Sequence, residues 1–249
     1  MKLPVALQLW SVREDMAKDY KATLRRVKEL GFDGVEFAGF FGVDAHEMKK
    51  TLDELGLKVA GSHTQPAELA ENLDGGIEYN KIIGNKNIVV VVSSLKPYDK
   101  PEVVDELVNL LKPMVQKLHD NGLQLHYHNH YHEFTDLGGE LALERLYRLM
   151  PAEEISPQID TYWAYYACGD PVGKLREYGD RVELIHLKDG DKNMVSAPIG
   201  EGEVNIQLVL DTACEIGAQW VIMEDETKDP KGFDSVAIGM KNLKEKYAF

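Results

Sequence analysis

The chain has 249 residues, of which 44% are hydrophobic and only two are cysteines, Cys168 and Cys214. Its 28 basic and 42 acidic residues leave a net charge of −14. This charge argues against a duplex-binding protein, because such proteins normally carry a basic stripe that neutralises phosphates. Two cysteines are too few for a disulfide framework, the apolar runs are too short to cross a bilayer, and residues 1–15 lack an export signal. We therefore expect a cytoplasmic enzyme without a nucleic-acid or membrane partner.

Short strand-like runs alternate with helical patterns along the chain. The strand candidates are residues 5–10, 33–37, 57–62, 87–92, 123–130, 156–160, 182–187 and 219–224. Apolar residues at three- and four-residue spacing predict helices between them. One helix ends at Gly31, and the next begins with Asp44 as its cap and ends at Gly56. Further helices are predicted at about 100–121, 138–149, 171–178, 205–217 and 233–247.

Eight strand-then-helix units of roughly 30 residues predict an α/β fold, a (β/α)8 TIM barrel that takes up residues 1–249 as a single domain. The run NIVVVV at 87–92 is typical of a strand buried on both faces. The competing fold is an open, doubly wound sheet. Such a sheet usually shows a glycine-rich turn after its first strand, and LQLWSVREDM contains no glycine.

Polar residues stand at the carboxyl ends of the predicted strands, where barrels of this kind concentrate their chemistry. Asp160, His186 and Glu224 close three consecutive strands, so a closed barrel would bring them around one axis. Two carboxylates and an imidazole suit Mn²⁺, Zn²⁺, Co²⁺ or Fe²⁺, and His128 on strand five is the preferred fourth ligand. The alternative interpretation is an ion-pair network that only plugs the mouth of the barrel.

The segment LQLHYHNHYHEF, residues 123–134, concentrates histidines on one strand. Alternation along the strand places His126, His128 and His130 on the same face. Three imidazoles cost too much free energy to bury without partners. We expect His126 to support a ligand from deeper in the strand, and His130 to touch the substrate or to orient a ligand.

Three other features bear on the substrate. Lys188 lies two residues past His186 on the same face, so we expect it to contact a substrate oxygen. Trp163 either packs in the core or stacks against a sugar. The stretch IGEGE at 199–203 is interpreted as a mobile flap or turn, because its two acids would repel a dianion such as a phosphate.

A series of motifs resembles the xylose isomerase-like barrel superfamily, whose members are often labelled sugar phosphate isomerase/epimerase. The motifs, in order, are QLWSVRED, GFDGVEFAG, YHNHYHEF, IDTYWAYYACGDP, IHLKDGD, IGEGEVN and WVIMEDE. Each is weak alone, but their order over nearly the whole chain is specific. The resemblance implies one divalent metal held by Asp160, His186 and Glu224, with Mn²⁺ as the first choice and Zn²⁺, Co²⁺, Fe²⁺ and Mg²⁺ as alternatives.

The same resemblance implies that His63 and Glu36 occupy pocket positions and that Lys188 lies near the substrate. Strand five departs from the sugar epimerases, which carry a glutamate where this chain has His128. The branch with the HNH..EF pattern includes inosose dehydratase-like proteins and epimerases or lyases of keto-glycosides. A metal-held imidazole has already donated its lone pair, so the two-glutamate proton shuttle of the epimerases does not transfer directly.

The sequence thus predicts a metal-dependent isomerase or epimerase of carbohydrate metabolism that acts on a non-phosphorylated keto-sugar through a metal-stabilised enediolate. Glu224 is the first candidate for the general base, followed by Glu133, Glu36 and His63, while Lys188 would stabilise oxygen charge. The alternatives are a dehydratase or lyase of an inosose or a 3-keto-glycoside, and a non-catalytic sugar-binding protein. A homo-oligomer is compatible with this fold, although no apolar stripe marks an interface.

Overall fold

Eight parallel strands close into a barrel in the computed structural model, which describes residues 2–92, 98–247 and 249. The strands in chain order are β1 (Val5–Gln8), β2 (Gly34–Ala38), β3 (Lys58–Thr64), β4 (Asn87–Val91), β5 (Gln124–His128), β6 (Ser156–Asp160), β7 (Leu184–Leu187), β8 (Asp189–Gly190), β9 (Ser196–Ala197) and β10 (Trp220–Met223). Strands β1 to β7 pair in sequence, and β10 closes the ring between β7 and β1, whereas β8 and β9 form a separate antiparallel pair. The predicted (β/α)8 TIM barrel is confirmed.

Helices surround the barrel. They are α1 (Arg13–Lys18), α2 (Tyr20–Leu30), α3 (Ala45–Leu55), α4 (Pro66–Glu71), α5 (Leu73–Ile83), α6 (Pro101–Asp120), α7 (Ala142–Leu149), α8 (Thr161–Cys168), α9 (Pro171–Tyr178), α10 (Ile206–Ile216) and α11 (Phe233–Glu245). Asp44 caps α3 by accepting from two backbone amides, and Gly31 and Gly56 end α2 and α3 with positive φ, as predicted. Within the described ranges, no helix combines the length and hydropathy that crossing a membrane requires.

Helices α4, α5, α7 and α8 differ from the predicted ranges. A helix was expected after β3 without stated bounds, and the structure has two there, α4 and α5, while the aromatic segment after Asp160 forms α8. Helix α7 begins at Ala142 rather than at residue 138, because Asp136 accepts hydrogen bonds from the amides of Gly138 and Gly139 in a turn. Both glycines have φ near 100°, which a helix does not allow.

The interior of the barrel is layered. Small and aliphatic side chains fill its middle: Ala6, Ala60, Val89, Leu184 and Ile222. Toward the carboxyl ends of the strands the inward positions become polar and ionisable, while outward positions such as Val35, Phe37 and Tyr127 join the larger apolar core beneath the helices. The charged site therefore lies above an apolar floor and is walled by strands.

The IGEGE segment forms a fixed turn around the carboxylate of Asp189. That carboxylate accepts hydrogen bonds from the backbone amides of Gly190, Gly200, Gly202 and Val204 at 2.9–3.1 Å. A Cβ at Gly202 would lie 2.1 Å from the Asp189 carboxylate, so this position requires glycine. The glycine-rich loop thus binds an anion that the protein itself supplies.

Candidate metal centre and substrate cavity

Four side chains from different strands converge at the carboxyl end of the barrel. His128, Asp160, His186 and Glu224 each offer one ligand atom, and these atoms all lie within 4.8 Å of one another. All four residues are buried. The structure therefore brings together the whole set that the sequence predicted as metal ligands, although their binding of a metal stays a prediction.

The barrel register explains this convergence. His128 lies opposite Gln158, and Asp160 lies opposite His186, so residues at successive strand ends stagger around the ring. Glu224 follows β10, and its amide donates to the carbonyl of Leu187. Because side chains alternate between the two faces of a strand, these positions all face inward.

Asp160 is the least satisfied member of the group. Its Oδ1 caps α8 by accepting from the amide of Trp163 at 2.9 Å, while Oδ2 is buried with no hydrogen-bond partner among the described residues. Burial raises the pKa of Asp160 to about 7, although the charge of Lys188 opposes the shift. A buried carboxylate oxygen without a partner is costly, and a cation at this point would remove the cost.

His186 lies between two carboxylates. Its Nδ1 is 3.0 Å from Oε2 of Glu224, and its Nε2 is 2.5 Å from Oε2 of Glu36. Burial alone would lower the pKa of His186, but the two carboxylates raise it to about 10. Burial likewise favours the neutral form of Glu224, but Lys188 and His186 lower its pKa to about 2, so this carboxylate is ionised.

Glu36 lies beneath the ligand group and is fully buried. Besides His186, its carboxylate contacts Gln8 Nε2 at 2.7 Å, Gln158 Nε2 at 2.6 Å and His63 Nε2 at 3.0 Å. Burial acts to raise the pKa of Glu36, but His63 and His186 hold it well below its usual range. Every nearby group donates to this carboxylate, which therefore stays charged.

Gln158 connects Glu36 to two histidines. Its Oε1 lies 3.0 Å from Nδ1 of His128 and 2.8 Å from Nε2 of His63. Burial and the neighbouring imidazoles hold the pKa of His128 well below its usual range, so this ring is neutral. A neutral imidazole is the form that binds a metal.

Lys188 is buried above the group and forms an ion pair with Glu226. Its Nζ lies 4.6 Å from the ring centroid of Trp163, within the range of a cation–π interaction. Burial acts to lower the pKa of Lys188, but Glu224, Glu226 and Asp160 together raise it, so the ammonium group keeps its charge. Glu226 also accepts a hydrogen bond from the indole of Trp10.

A cavity of about 730 Å³ opens above the ligand group, which is a size typical of small-molecule sites. Four predicted site residues line it, namely His63, His128, His130 and Glu224. On its far side lie Phe40 and Tyr79, whose rings stack with centroids 3.7 Å apart. Strand β5 ends at His128, two residues before the predicted end, so His130 lies beyond the strand, but its ring centroid is only 5.0 Å from that of His128.

The other predicted contacts with substrate are less direct. Glu36, Lys188 and Trp163 are not among the described residues that line this cavity. Trp163 instead borders a neighbouring cavity of about 660 Å³, and Glu226 borders both. The pair of Lys188 and Glu226 therefore lies in the partition between the two spaces.

Glu133 lies on the other face of β5. Its Oε1 accepts from the hydroxyl of Tyr127 at 2.7 Å, its Oε2 accepts from the amide of His130 at 2.9 Å, and Tyr98 bonds to the Tyr127 hydroxyl. Burial raises the pKa of Glu133 to about 7, although these donors oppose the shift. Within the described part of the chain, Glu133 belongs neither to the ligand group nor to the cavity lining.

Three residues of the site were not anticipated from the sequence. Gln8 and Gln158 bond to Glu36, and Glu226 pairs with Lys188. The signal available for Gln158 was its position two residues before Asp160 on the same strand face. A glutamine alone, however, indicates no particular chemistry.

The donor set suits a divalent ion. Two imidazoles and two carboxylates match the preferences of Mn²⁺, Zn²⁺, Co²⁺ and Fe²⁺. The unpartnered oxygen of Asp160 and the ionised carboxylate of Glu224 supply the negative charge that such an ion requires. The residues present therefore fit a resident metal.

Comparison with known proteins agrees with this architecture. Residues 24–246 match the family profile described as xylose isomerase-like TIM barrel, which confirms the resemblance indicated by the motifs. Inosose dehydratase 2 of Bacillus cereus is 23% identical over 254 aligned residues, which cover 91% of this chain and 83% of that relative.

Solved structures share the fold. A sugar phosphate isomerase/epimerase from Parabacteroides distasonis superposes with a TM-score of 0.86 at 20% identity, with 98% of each chain covered. A 3-keto-D-glucoside 4-epimerase from E. coli superposes with a TM-score of 0.73 at 16% identity, with 98% of this chain and 99% of that chain covered. At these identities the superpositions show a common fold.

Proposed function

The chain belongs to the xylose isomerase-like TIM barrel family, and we propose that it is a divalent-metal-dependent isomerase or epimerase of a non-phosphorylated keto-sugar. The observation that carries this proposal is the buried group of His128, Asp160, His186 and Glu224 beneath a sugar-sized cavity. These four residues would hold the metal, for which Mn²⁺ is the first choice. The unpartnered oxygen of Asp160 supports a cation at this point.

A divalent ion held by these four residues would supply Lewis acidity, which would polarise a carbonyl and a neighbouring hydroxyl of the sugar and acidify the C–H between them. Glu224 lines the cavity as an ionised carboxylate and takes the proton from that carbon. Return of the proton to the neighbouring carbon isomerises the sugar, and return to the opposite face of the same carbon epimerises it. His63 and His130 line the same cavity and are the groups placed to assist the return.

The other two candidate carboxylates serve as a base less well. Both oxygens of Glu133 accept hydrogen bonds on the outer side of β5. Glu36 is saturated by donors below the cavity. We therefore assign proton abstraction to Glu224, with His63 as the second candidate, and we assign to Lys188 the stabilisation of negative charge on a substrate oxygen.

Elimination is the second candidate function, and a specific observation favours it. Strand β5 presents a neutral imidazole, His128, in place of a second carboxylate. In elimination, a single carboxylate can take the proton from carbon and return it to the departing hydroxyl, which leaves as water, whereas a two-base epimerisation needs a proton donor on each face. The curated relatives named inosose dehydratase support the same alternative.

A phosphorylated substrate fits the chain poorly. The net charge is −14, and the amides of the glycine-rich turn are already taken by Asp189. We therefore expect turnover of neutral sugars and no preference for their phosphates. A clear preference for a sugar phosphate over its neutral counterpart would contradict this part of the proposal.

One experiment tests the proposal and separates its two forms. The Mn²⁺-loaded protein is incubated in D₂O with a panel of keto-sugars, inososes and 3-keto-glycosides, and the products are analysed by mass spectrometry and NMR. Deuterium gain at carbon without loss of water or aglycone indicates isomerisation or epimerisation, whereas loss of either indicates elimination. Full turnover by protein shown to be metal-free by elemental analysis would refute both forms.

A further inference from the structure

We infer that Glu36 is a positioning residue that, together with Gln158, holds a hydrogen on Nδ1 of His128 and on Nε2 of His186 and so directs the opposite nitrogen of each ring toward the metal. This inference rests on the proposed metal function and departs from the expectation that Glu36 contacts substrate. Its physical basis is the direction of the hydrogen bonds, from donor to acceptor, in one buried network.

The network starts at the carboxylate of Glu36, whose two oxygens face four side-chain nitrogens and therefore accept hydrogen bonds. Its oxygens lie 2.7 Å from the side-chain nitrogen of Gln8 and 2.6 Å from that of Gln158. Both glutamines must therefore turn their amide NH₂ groups toward Glu36. The orientation of Gln8 agrees, since its oxygen accepts from the backbone amide of Trp10 at 3.1 Å.

The orientation of Gln158 determines the state of His128. With its NH₂ group on Glu36, Gln158 presents its carbonyl oxygen to Nδ1 of His128 and to Nε2 of His63. A carbonyl oxygen only accepts, so both ring nitrogens must carry hydrogen. His128 is thereby held as the Nδ1–H tautomer, and Nε2 keeps the lone pair that coordination requires.

Glu36 acts on His186 directly. The 2.5 Å contact joins Oε2 of Glu36 to Nε2 of His186, which must donate because the carboxylate cannot. Nδ1 faces the carboxylate of Glu224, another member of the ligand group, so in the metal-free protein it carries hydrogen as well. A metal would displace the hydrogen on Nδ1, whereas Glu36 keeps the hydrogen on Nε2. The two histidines thus direct different nitrogens toward one point, and a single carboxylate on β2 determines both choices.

The variant Glu36→Gln tests this directly. The new amide keeps its oxygen for His186 and Gln8, so its NH₂ group points at the NH₂ group of Gln158. Gln158 must then flip, and its NH₂ group forces Nδ1 of His128 to accept. His128 changes to the Nε2–H tautomer and loses its free coordinating nitrogen, so we expect Mn²⁺ affinity to fall by about 10- to 100-fold.

The double variant Glu36→Gln/Gln158→Glu is the matched rescue. The carboxylate now stands at position 158, where it accepts from the amide at position 36, from His128 and from His63. The oxygen at position 36 still accepts from His186 and Gln8. All donors and acceptors are matched again, with the charge moved across the barrel from β2 to β6, so we expect the original tautomer and most of the metal affinity to return.

The primary readout is histidine NMR rather than activity. Long-range ¹H–¹⁵N spectra of ¹⁵N-histidine protein, metal-free and loaded with ¹¹³Cd²⁺, should show His128 protonated at Nδ1 in wild type and in the double variant, and at Nε2 in Glu36→Gln. Mn²⁺ affinity is measured in parallel from the EPR signal of the free ion. Asn85→Ala is the structural control, because Asn85 belongs to a separate buried network with Ser62 and Asn80, and it should lower stability without changing the tautomer.

The outcomes separate this inference from the proposed function. An Nε2–H tautomer of His128 in the wild-type protein, or a Glu36→Gln variant that binds Mn²⁺ as tightly as wild type, would overturn the inference while leaving a metal enzyme. A wild-type protein that shows the predicted His128 tautomer without metal, yet binds no divalent ion, would refute the proposed function and leave the network as a structural device.

Discussion

Each face of strand β5 is linked to a buried carboxyl group, but the pKa values of the two groups shift in opposite directions. On the inner face, His128 connects through Gln158 to Glu36; on the outer face, Tyr127 bonds to Glu133. Both carboxylates are buried, yet the pKa of Glu36 is held well below its usual range by two histidines, whereas burial raises that of Glu133 to about 7. The difference lies in the donors: Glu36 contacts two imidazoles that can carry positive charge, whereas Glu133 contacts only a phenol and a backbone amide among the described residues.

This contrast shows which buried carboxylates are suited to bind a cation. Inside the barrel, histidine and lysine neighbours keep Glu36 and Glu224 charged, and Asp160, whose pKa burial raises, has an oxygen without a partner among the described residues. Outside, the Glu133 carboxyl ties the turn after β5 to Tyr127, and both of its oxygens accept hydrogen bonds from uncharged donors. A buried acid therefore indicates a cation site when cationic groups surround it or when one of its oxygens has no donor.

The largest effect is expected from Asp160→Asn, on the inner side. The amide oxygen can still cap α8 through the amide of Trp163, so the fold is kept, but the free carboxylate oxygen is lost. We expect Mn²⁺ affinity to fall by at least about 100-fold, beyond the effect typical of a residue that only supports a ligand. Calorimetric titration with Mn²⁺ measures the change.

The matched control for that variant is Asp170→Asn. Asp170 caps α9 in the same manner, through the amide of Gly173, but it is exposed. Its replacement should leave Mn²⁺ affinity unchanged. Equal losses of Mn²⁺ affinity in the two variants would show that helix capping rather than metal ligation is responsible, and would contradict a metal site on the inner face.

Lys188→Met is expected to have an effect of intermediate size: metal affinity should rise and turnover should fall. Lys188 is a buried cation that acts on Asp160 and Glu224, so its removal takes away repulsion for an incoming metal ion. Metal affinity should rise several-fold, while kcat for the sugar found in the D₂O panel should fall by about 100-fold as a donor to substrate oxygen is lost. Unchanged kcat would remove Lys188 from the catalytic group.

The smallest effect is expected from Glu133→Gln, on the outer face, and it concerns stability alone. The folded-state pKa of about 7 lies above the ordinary value of 4.5, so the folded protein binds the proton more tightly than the unfolded chain. The contribution of Glu133 to the free energy of unfolding is fully present below pH 4.5 and is lost as the pH rises through 7. The loss is about 3 kcal/mol at most.

Replacing Glu133 by glutamine removes that dependence. The free energy of unfolding, measured in urea at pH 5 and pH 8, should decline less with pH in the variant than in wild type. Metal affinity and turnover should stay unchanged. An effect on turnover comparable to that of Lys188→Met would restore Glu133 as a base and abolish the contrast between the two faces.

Much of this arrangement was readable from the sequence because parallel strands end at a common edge. Each of Asp160, His186 and Glu224 ends or follows a strand, and alternation determines the face on which it lies. The same rule placed His128 inward and predicted the group that the structure brings together. Neither the depth of a residue within the barrel nor its orientation beyond a strand end follows from that rule.

Glu36 and Glu133 illustrate these two gaps. Glu36 faces inward as expected, but it lies below the cavity, where its neighbours Gln8 and Gln158 surround it. Glu133 follows the end of β5, and the short 3-10 turn His132–Phe134 directs it to the outer face, where no strand alternation applies. Gln158 carries no chemical signal of its own, and its importance comes only from the groups on either side.

The contacts of Glu36 also bear on how the protein comes to be functional. Its partner His186 is 150 residues away along the chain, and Gln158 is 122 residues away. Such distant pairings form late, because the entropy of closing long loops must first be overcome. A nascent chain that has not yet produced β7 and β10 lacks two of the four proposed ligands, His186 and Glu224. If the proposed function holds, metal uptake would therefore report completion of the ring during biosynthesis.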